Sequence, residues 1–344
     1  MKAAVFLGER KLEIREFPDP TPGPDEVIVE IKASGMCGSD LHYYRSPKRR
    51  EDELVIAGHE PCGVIAETGK AVRRSEVQVG NRVMVHHYDG CRVCNYCRSG
   101  YTFMCTSDQR VTFGGLFANG SHARYMKVPA HTIIQMQPEL SFKAGSAIAC
   151  GTGTAYGALK KMNVTGDDTV AIFGQGPVGL SCTLFAKATG ARVIALDVSD
   201  ERLQMAERFG ADVLINPLVE KNVVSAIRDI TRRGEGADKS IECSSNPDAR
   251  WQCVESIRPW GTACLLGVNG NIQFDVKNLI QQGKVVLGSQ TFSKNTQDDC
   301  ARYVVERSLD VESVFTNEFK LDEAVEAYEL FDTQKIGKGV FLFD

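Results

Sequence analysis

Four cysteines, Cys91, Cys94, Cys97 and Cys105, stand in the segment DGCRVCNYCRSGYTFMC with the spacing C-x2-C-x2-C-x7-C. Thiolates so close in sequence can converge on one ion as a closed tetrahedral set, which suits a structural zinc that cross-links a lobe with little apolar sequence of its own. An iron–sulfur cluster is the rival for such a set, and the absence of redox partner motifs counts against it. A second group is dispersed: Cys37 in GMCGSDLH, His59 in AGHEP and Cys150 in IACGTGTAYG, each beside glycines at the end of a strand-like run. A Cys, His, Cys set leaves zinc a fourth position for water or an alcohol oxygen, which is how a catalytic ion differs from a structural one. Glu60, next to His59, can bind such an ion transiently or tune its field. Taken singly, each of these residues also fits a structural role, and their spacing alone does not decide between the two.

A third motif concerns a nucleotide. Gly174, Gly176 and Gly179 in GQGPVG follow the strand-like TVAIF and open a helix at Pro177 and Val178, the context that a G-x-G-x-x-G match requires. Those glycines permit a tight turn, close approach of backbone to a pyrophosphate, and close helix–strand packing, with the anion at the helix N-terminus. Asp197, eighteen residues past Gly179, ends RVIALD, where a carboxylate can hold both ribose hydroxyls and repel a 2′-phosphate. This favours NAD over NADP. Arg202 is the residue that could instead welcome a phosphate, and Asp197 could simply cap the helix near Ser199.

The elements that must position these groups divide the chain. Residues 1–148 carry short β-branched runs separated by Gly and Pro, as in EVIVEIKASG and NRVMVHH, the pattern of a β-rich unit. From about residue 150 strands and helices alternate: TVAIFG, a helix over 177–189, RVIALDV, a helix over 200–209, DVLINP, then DKSIECSS, GTACLLGV and KVVLGSQT. That rhythm predicts a doubly wound parallel sheet of about six strands, hence an α/β fold over 149–289. The tail, 290–344, offers a helix over 298–308, a strand near 314–319, an amphipathic helix over 321–331 and a closing GKGVFLF strand expected to pack back on the first domain.

The chain has 344 residues, enough for two cores, with 24% charged residues and a net charge of −4. Neither a nucleic-acid footprint nor a membrane partner is indicated, and a small-molecule partner is expected. The opening MKAAVFLGER holds no apolar signal region, so a cytoplasmic location is expected. In that setting twelve cysteines argue for metal ligation rather than disulfides. Cys62, Cys182, Cys243, Cys253, Cys264 and Cys300 lie in apolar or scattered contexts and read as small buried hydrophobes.

CGSDLH at 37–42, GHE at 58–60, the four-cysteine lobe and GQGPVG, in this order, resemble the medium-chain zinc-dependent alcohol dehydrogenase superfamily over essentially the whole chain. The resemblance implies a GroES-like β-rich catalytic domain (1–148 and 290–344) and a Rossmann cofactor domain (149–289), with the active site in the cleft between them. It implies two Zn2+ per chain and NAD as cofactor: Cys37, His59 and Cys150 hold the catalytic ion, and Asp40 orients His59. Ser39 takes the proton of a zinc-bound alcohol and passes it through the cofactor ribose to His42. Thr154 and Val178 position the nicotinamide, and Lys338 contacts the pyrophosphate. The resemblance also implies a homotetramer or homodimer. A catalytically silent nucleotide-binding protein and a zinc-free reductase are the rival classes, and the complete ligand set speaks against both.

For the substrate, Cys150 as third ligand is similar to the simple-alcohol branches, since polyol branches place a glutamate in that region. Gly38 and the chain length are nearer to polyol, threonine or butanediol enzymes. Arg45, Lys48, Arg49 and Arg50 could bind a carboxylate, sulfonate or phosphate on an anionic alcohol. A solvated charge run balanced by Glu51, Asp52 and Glu53 is the plainer reading. Tyr43, Phe113 and His122 are pocket candidates, whereas His86, His87 and His131 have no assigned role.

Overall fold

The computed structural model describes all residues except 74, 76, 116, 117 and 335. The chain forms two compact units, Met1–Gly153 with Phe292–Asp344, and Thr154–Thr291. These boundaries fall a few residues later than the sequence suggests. Cys150 consequently belongs to the first unit, carried there by the helix Phe142–Ile148, which packs on the strands Glu26–Gly35 and Pro61–Thr68.

The first unit opens with an antiparallel hairpin, Lys2–Gly8 with Lys11–Glu16. Its turn residues Glu9 and Arg10 have φ of 52° and 59°, the left-handed geometry that a tight hairpin needs. A seven-stranded sheet is organised around Glu26–Gly35, whose neighbours include Pro61–Thr68, Tyr125–Pro129 and the C-terminal strand Lys338–Leu342. The tail does return: Lys338–Leu342 runs antiparallel to Glu26–Gly35, pairing Val340 with Gly35, and parallel to Phe315–Phe319. Between these two strands lies the helix Ala324–Asp332, which buries Ala327, Tyr328 and Phe331 against Phe6, Tyr44 and Phe341.

The second unit holds a six-stranded parallel sheet in the order Val213–Ile215, Arg192–Leu196, Thr169–Phe173, Ala237–Glu242, Ile257–Leu265, Val285–Gly288. The order reverses between Thr169–Phe173 and Ala237–Glu242, and GQGPVG leaves the first of these. That is the switch point at which doubly wound sheets bind ligands. The core strands read as near-continuous apolar runs because both faces are covered, and Val170, Ala171 and Ile172 are fully buried.

Candidate functional site

Glu26–Gly35 runs directly into Cys37, and the chain then turns into a short helix, Asp40–Tyr44. His59 follows Gly58, whose φ of 89° favours glycine. A Cβ on Gly114 or Gly120 would come within 2.0 or 2.1 Å of the Gly58 carbonyl, so small residues seat this loop from behind. Cys150 comes two residues after Phe142–Ile148. These three distant segments bring Cys37, His59, Glu60 and Cys150 together with one donor atom of each within 4.8 Å of the others.

Cys37 Sγ and Cys150 Sγ are 3.9 Å apart. Two thiolates on one tetrahedral zinc stand about 3.8 Å apart, given Zn–S of about 2.3 Å, so the pair fits the ion. His59 Nδ1 lies 2.8 Å from Asp40 Oδ1, which turns Nε2 toward the cysteines. Burial opposes a charged imidazole, yet Asp40 and Cys37 outweigh it and hold the His59 pKa well above its usual value. The hydrogen bond from Cys150 holds the Cys37 thiol well below the ordinary range. Ser39 Oγ sits 3.1 Å from His59 Nε2 and 3.2 Å from Cys37 Sγ, at the edge of the ligand set. His42 is exposed on the same short helix.

Glu60 is fully buried; one carboxylate oxygen accepts from Lys338 Nζ at 2.6 Å, and the other is buried with no hydrogen-bond partner. Burial pushes its pKa up to about 8, against the pull of Lys338. An orphaned carboxylate oxygen beside two thiols and an imidazole is the arrangement a bound cation would satisfy. Lys338, expected at a pyrophosphate, lies beside this carboxylate. This residue is 2% exposed, and its ammonium is held by Glu60 and by the Met36 carbonyl at 2.9 Å, so it offsets the charge of the Glu60 carboxylate.

In the lobe the four sulfurs likewise converge within 4.8 Å, with Cys94 Sγ and Cys105 Sγ 4.0 Å apart. Backbone N–H groups of Cys91, Cys94 and Cys97 point at the sulfurs of Cys105, Cys91 and Cys94 at 3.4 Å each. Backbone N–H donation pulls the Cys91 pKa down to about 6. These features fit thiolates around a structural ion. In contrast, burial pushes the thiols of Cys62, Cys253, Cys264 and Cys300 up, in keeping with inert core roles.

In the second unit the glycines divide their tasks. Gly174 has φ of 89°, and a Cβ there would meet Ser244 at 2.8 Å; on Gly179 it would meet the Gly174 carbonyl at 1.8 Å. A Cβ on Gly176 would meet nothing within 4 Å, so space stands open above it. Gly176 caps the helix Pro177–Ala188 without a side-chain cap, leaving first-turn N–H groups for an anion. Asp197 does not cap the next helix; Ser199 Oγ does, accepting from Arg202 N. The Asp197 carboxylate instead accepts from Gln175 N at 2.7 Å and Ser199 N at 3.0 Å, with Arg202 Nη1 3.9 Å away. Val178 and Thr154 are half-buried, Val178 in the helix first turn and Thr154 in the helix Gly151–Met162.

Of the pocket candidates, Phe113 packs in the core of the first unit, and His122 is fully buried between Ser34 and Tyr328, with hydrogen bonds to both. Tyr43 is half-buried against the core. Arg45 is bound to Asp332, Arg50 to Glu53 and Asp52, and Arg49 to the Glu53 carbonyl at 2.6 Å. His87, left without a role, belongs to the site. Its ring lies 5.1 Å from that of His59, and its Nδ1–H donates to the Ala149 carbonyl at 3.0 Å. Burial depresses its pKa well below normal, so the ring is neutral and Nε2 carries no proton. The HHY run just ahead of the lobe is the signal that could have pointed to it. His86 and His131 bind Gln297 and Asp89.

Residues 23–138 match the alcohol dehydrogenase GroES-like domain and residues 177–307 match the zinc-binding dehydrogenase domain. An uncharacterized zinc-type alcohol dehydrogenase-like protein of Escherichia coli strain K12 is 33% identical, covering 100% of this chain and 99% of its own. An alcohol dehydrogenase of Geobacillus stearothermophilus is 31% identical over 99% and 98%. The structure of an alcohol dehydrogenase from Thermus sp. ATN1 superposes with a TM-score of 0.91 at 27% identity, covering 99% of each chain. The chain belongs to the medium-chain, zinc-type alcohol dehydrogenase superfamily and is an oxidoreductase of that family.

Proposed function

We propose that this protein catalyses reversible hydride transfer between an alcohol carbon and NAD, with a catalytic zinc on Cys37, His59 and Cys150 and a structural zinc on Cys91, Cys94, Cys97 and Cys105. The convergence of Cys37, His59 and Cys150 within reach of one ion, with Asp40 behind His59, carries this reading. When bound, zinc supplies Lewis acidity, which lowers the pKa of an alcohol and polarises a carbonyl in the reverse direction. Ser39 Oγ, beside His59 Nε2, would accept the alcohol proton while passing its own hydroxyl proton on, and His42, exposed on the adjoining helix, would release a proton to water at the end of that relay. His87 presents an unprotonated Nε2, a hydrogen-bond acceptor suited to a substrate hydroxyl. Asp197, with its two oxygens fixed by backbone N–H groups, supports NAD, since a 2′-phosphate would meet a fixed negative charge. With Arg45, Arg49 and Arg50 engaged by neighbouring groups, a neutral alcohol is favoured over an anionic one.

The test is zinc content per chain in the wild type and in Cys150→Ser, with NAD reduction measured over neutral and anionic alcohols. Two ions in the wild type, one in the variant and turnover of a neutral alcohol are expected. One ion in both proteins, with cofactor binding but no turnover on any alcohol, overturns the assignment.

A further inference from the structure

A thread of polar groups crosses the aromatic core behind the candidate metal set. Tyr328, on the helix Ala324–Asp332, donates its hydroxyl proton to Asp40 Oδ2 at 3.0 Å, where the Cys37 N–H also donates at 2.8 Å. The tyrosine proton being committed to a carboxylate, His122 Nε2 at 2.7 Å must donate to the phenol oxygen. His122 Nδ1 is then an acceptor, filled by Ser34 Oγ at 2.8 Å, and Ser34 Oγ meets Ser121 Oγ at 2.7 Å. Every member from Ser121 to Asp40 is fully buried. The donors all point one way, ending on the carboxylate whose other oxygen faces His59 Nδ1.

His122 also bears on His59 from a second direction. A Cβ on Gly58 would come within 2.3 Å of His122 Nδ1, so the imidazole packs directly against the residue before His59. The His122 N–H donates to the Ala57 carbonyl at 2.8 Å, and the Ser121 N–H to the Gly58 carbonyl at 2.9 Å. The rings are locked in turn: Tyr328 meets Phe6 edge-on at 4.9 Å, and His122 meets Phe341 edge-on at 4.7 Å. Polar groups buried this deeply destabilise a core unless each is paired. An apolar pair of the same shape would fill the space equally well, so a role beyond packing is called for.

We infer that Tyr328 and His122 are positioning residues that fix Asp40, and through it His59, and so set how firmly the site holds its metal ion. Neither supplies one of the donor atoms that converge on the candidate metal site. The inference rests on the metal reading proposed above. It assigns the C-terminal helix, which supplies Tyr328, a part in building a site whose ligands come from elsewhere in the chain.

Tyr328→Phe removes one oxygen and keeps the ring. With the zinc-loaded full-length protein, release of each ion to a chromogenic chelator is followed, the four-cysteine ion serving as internal reference. The catalytic ion is expected to leave roughly 10-fold faster in Tyr328→Phe, at the lower end of what loss of an outer-sphere partner causes, while the lobe ion leaves at the wild-type rate. Cobalt substituted at the catalytic set should show shifted visible bands. His122→Gln, whose amide nitrogen can still donate to Tyr328, should lie between the two proteins and provides a second variant if Tyr328→Phe folds poorly. Unchanged ion release and unchanged cobalt bands in both variants, with only a lower melting temperature, overturn the inference and leave the thread a packing feature. A wild-type chain that holds only the lobe ion overturns the metal reading itself, and the inference with it.

Discussion

The two candidate metal sites are built in opposite ways. The lobe draws its four ligands from a span of fifteen residues and steadies them with backbone N–H groups of the same span. The other set draws Cys37, His59 and Cys150 from three remote segments and rests on Asp40, Tyr328, His122, Glu60 and Lys338, all essentially buried. A local site can be assembled by spacing and turn geometry alone. A dispersed one needs a rigid surround, because small errors in each segment add at the ion. On the proposed reading an ion in the lobe would stabilise the fold, whereas the fold would stabilise the dispersed site.

This contrast can be broken most forcefully at the lobe. Cys94→Ser should remove the local ion and lower the melting temperature by on the order of 10 °C, since structural zinc contributes several kcal/mol of folding free energy. Cys150→Ser should remove its ion with a far smaller shift, because Cys150 sits in an already packed frame. Calorimetry of the two variants checks both, and equal shifts would mean that the two sites share one structural role.

The glycines of the nucleotide motif sharpen the same distinction between fold and ligand. Gly174→Ala should destabilise the second unit by about 1–2 kcal/mol, from its positive φ and the crowding at Ser244. Gly176→Ala should melt like the wild type but bind NAD roughly tenfold more weakly, about 1.4 kcal/mol, because its methyl would occupy the open space above the turn. Calorimetry beside cofactor titration separates the two. A Gly176→Ala protein that binds NAD normally would remove the pyrophosphate from this turn.

The smallest effect is expected at the surface. Asp332 is bound by Arg45 and by Arg10 at 2.9 Å; burial opposes its charge, but the two arginines win and hold its pKa below the usual value. A carboxylate with a lowered folded pKa stabilises above its unfolded pKa of about 3.9, and that contribution fades as pH falls through the folded value. Asp332→Asn should therefore cost under about 1 kcal/mol at pH 7, with the gap to the wild type closing below about pH 4 in urea titrations. A gap that persists in acid would show that shape rather than charge is at stake.

What could be read without coordinates follows the same division. The four-cysteine cluster, the GQGPVG turn and the parallel sheet are legible because each depends on neighbours in sequence: fixed spacing, a strand before and a helix after, a repeated apolar run. The convergence of Cys37, His59 and Cys150 is legible only through family resemblance, since nothing in a lone GHE or a Cys beside glycine says which residue it will meet. Nothing in the sequence around Lys338 signals that the Met36 carbonyl and Glu60, some three hundred residues earlier, will hold its ammonium. The basic run 45–50 did not reveal that Asp332, almost three hundred residues later, binds Arg45.

Sequence by itself determined the two-unit α/β architecture, the four-cysteine lobe and the nucleotide turn, all set by short-range periodicity, spacing and backbone conformation. Only the tertiary structure decided that His87 packs beside His59, that Lys338 pairs with Glu60, and that Tyr328 and His122 stand behind Asp40. Those contacts join residues up to 288 positions apart, and packing in a common core, rather than any local preference, brings them together.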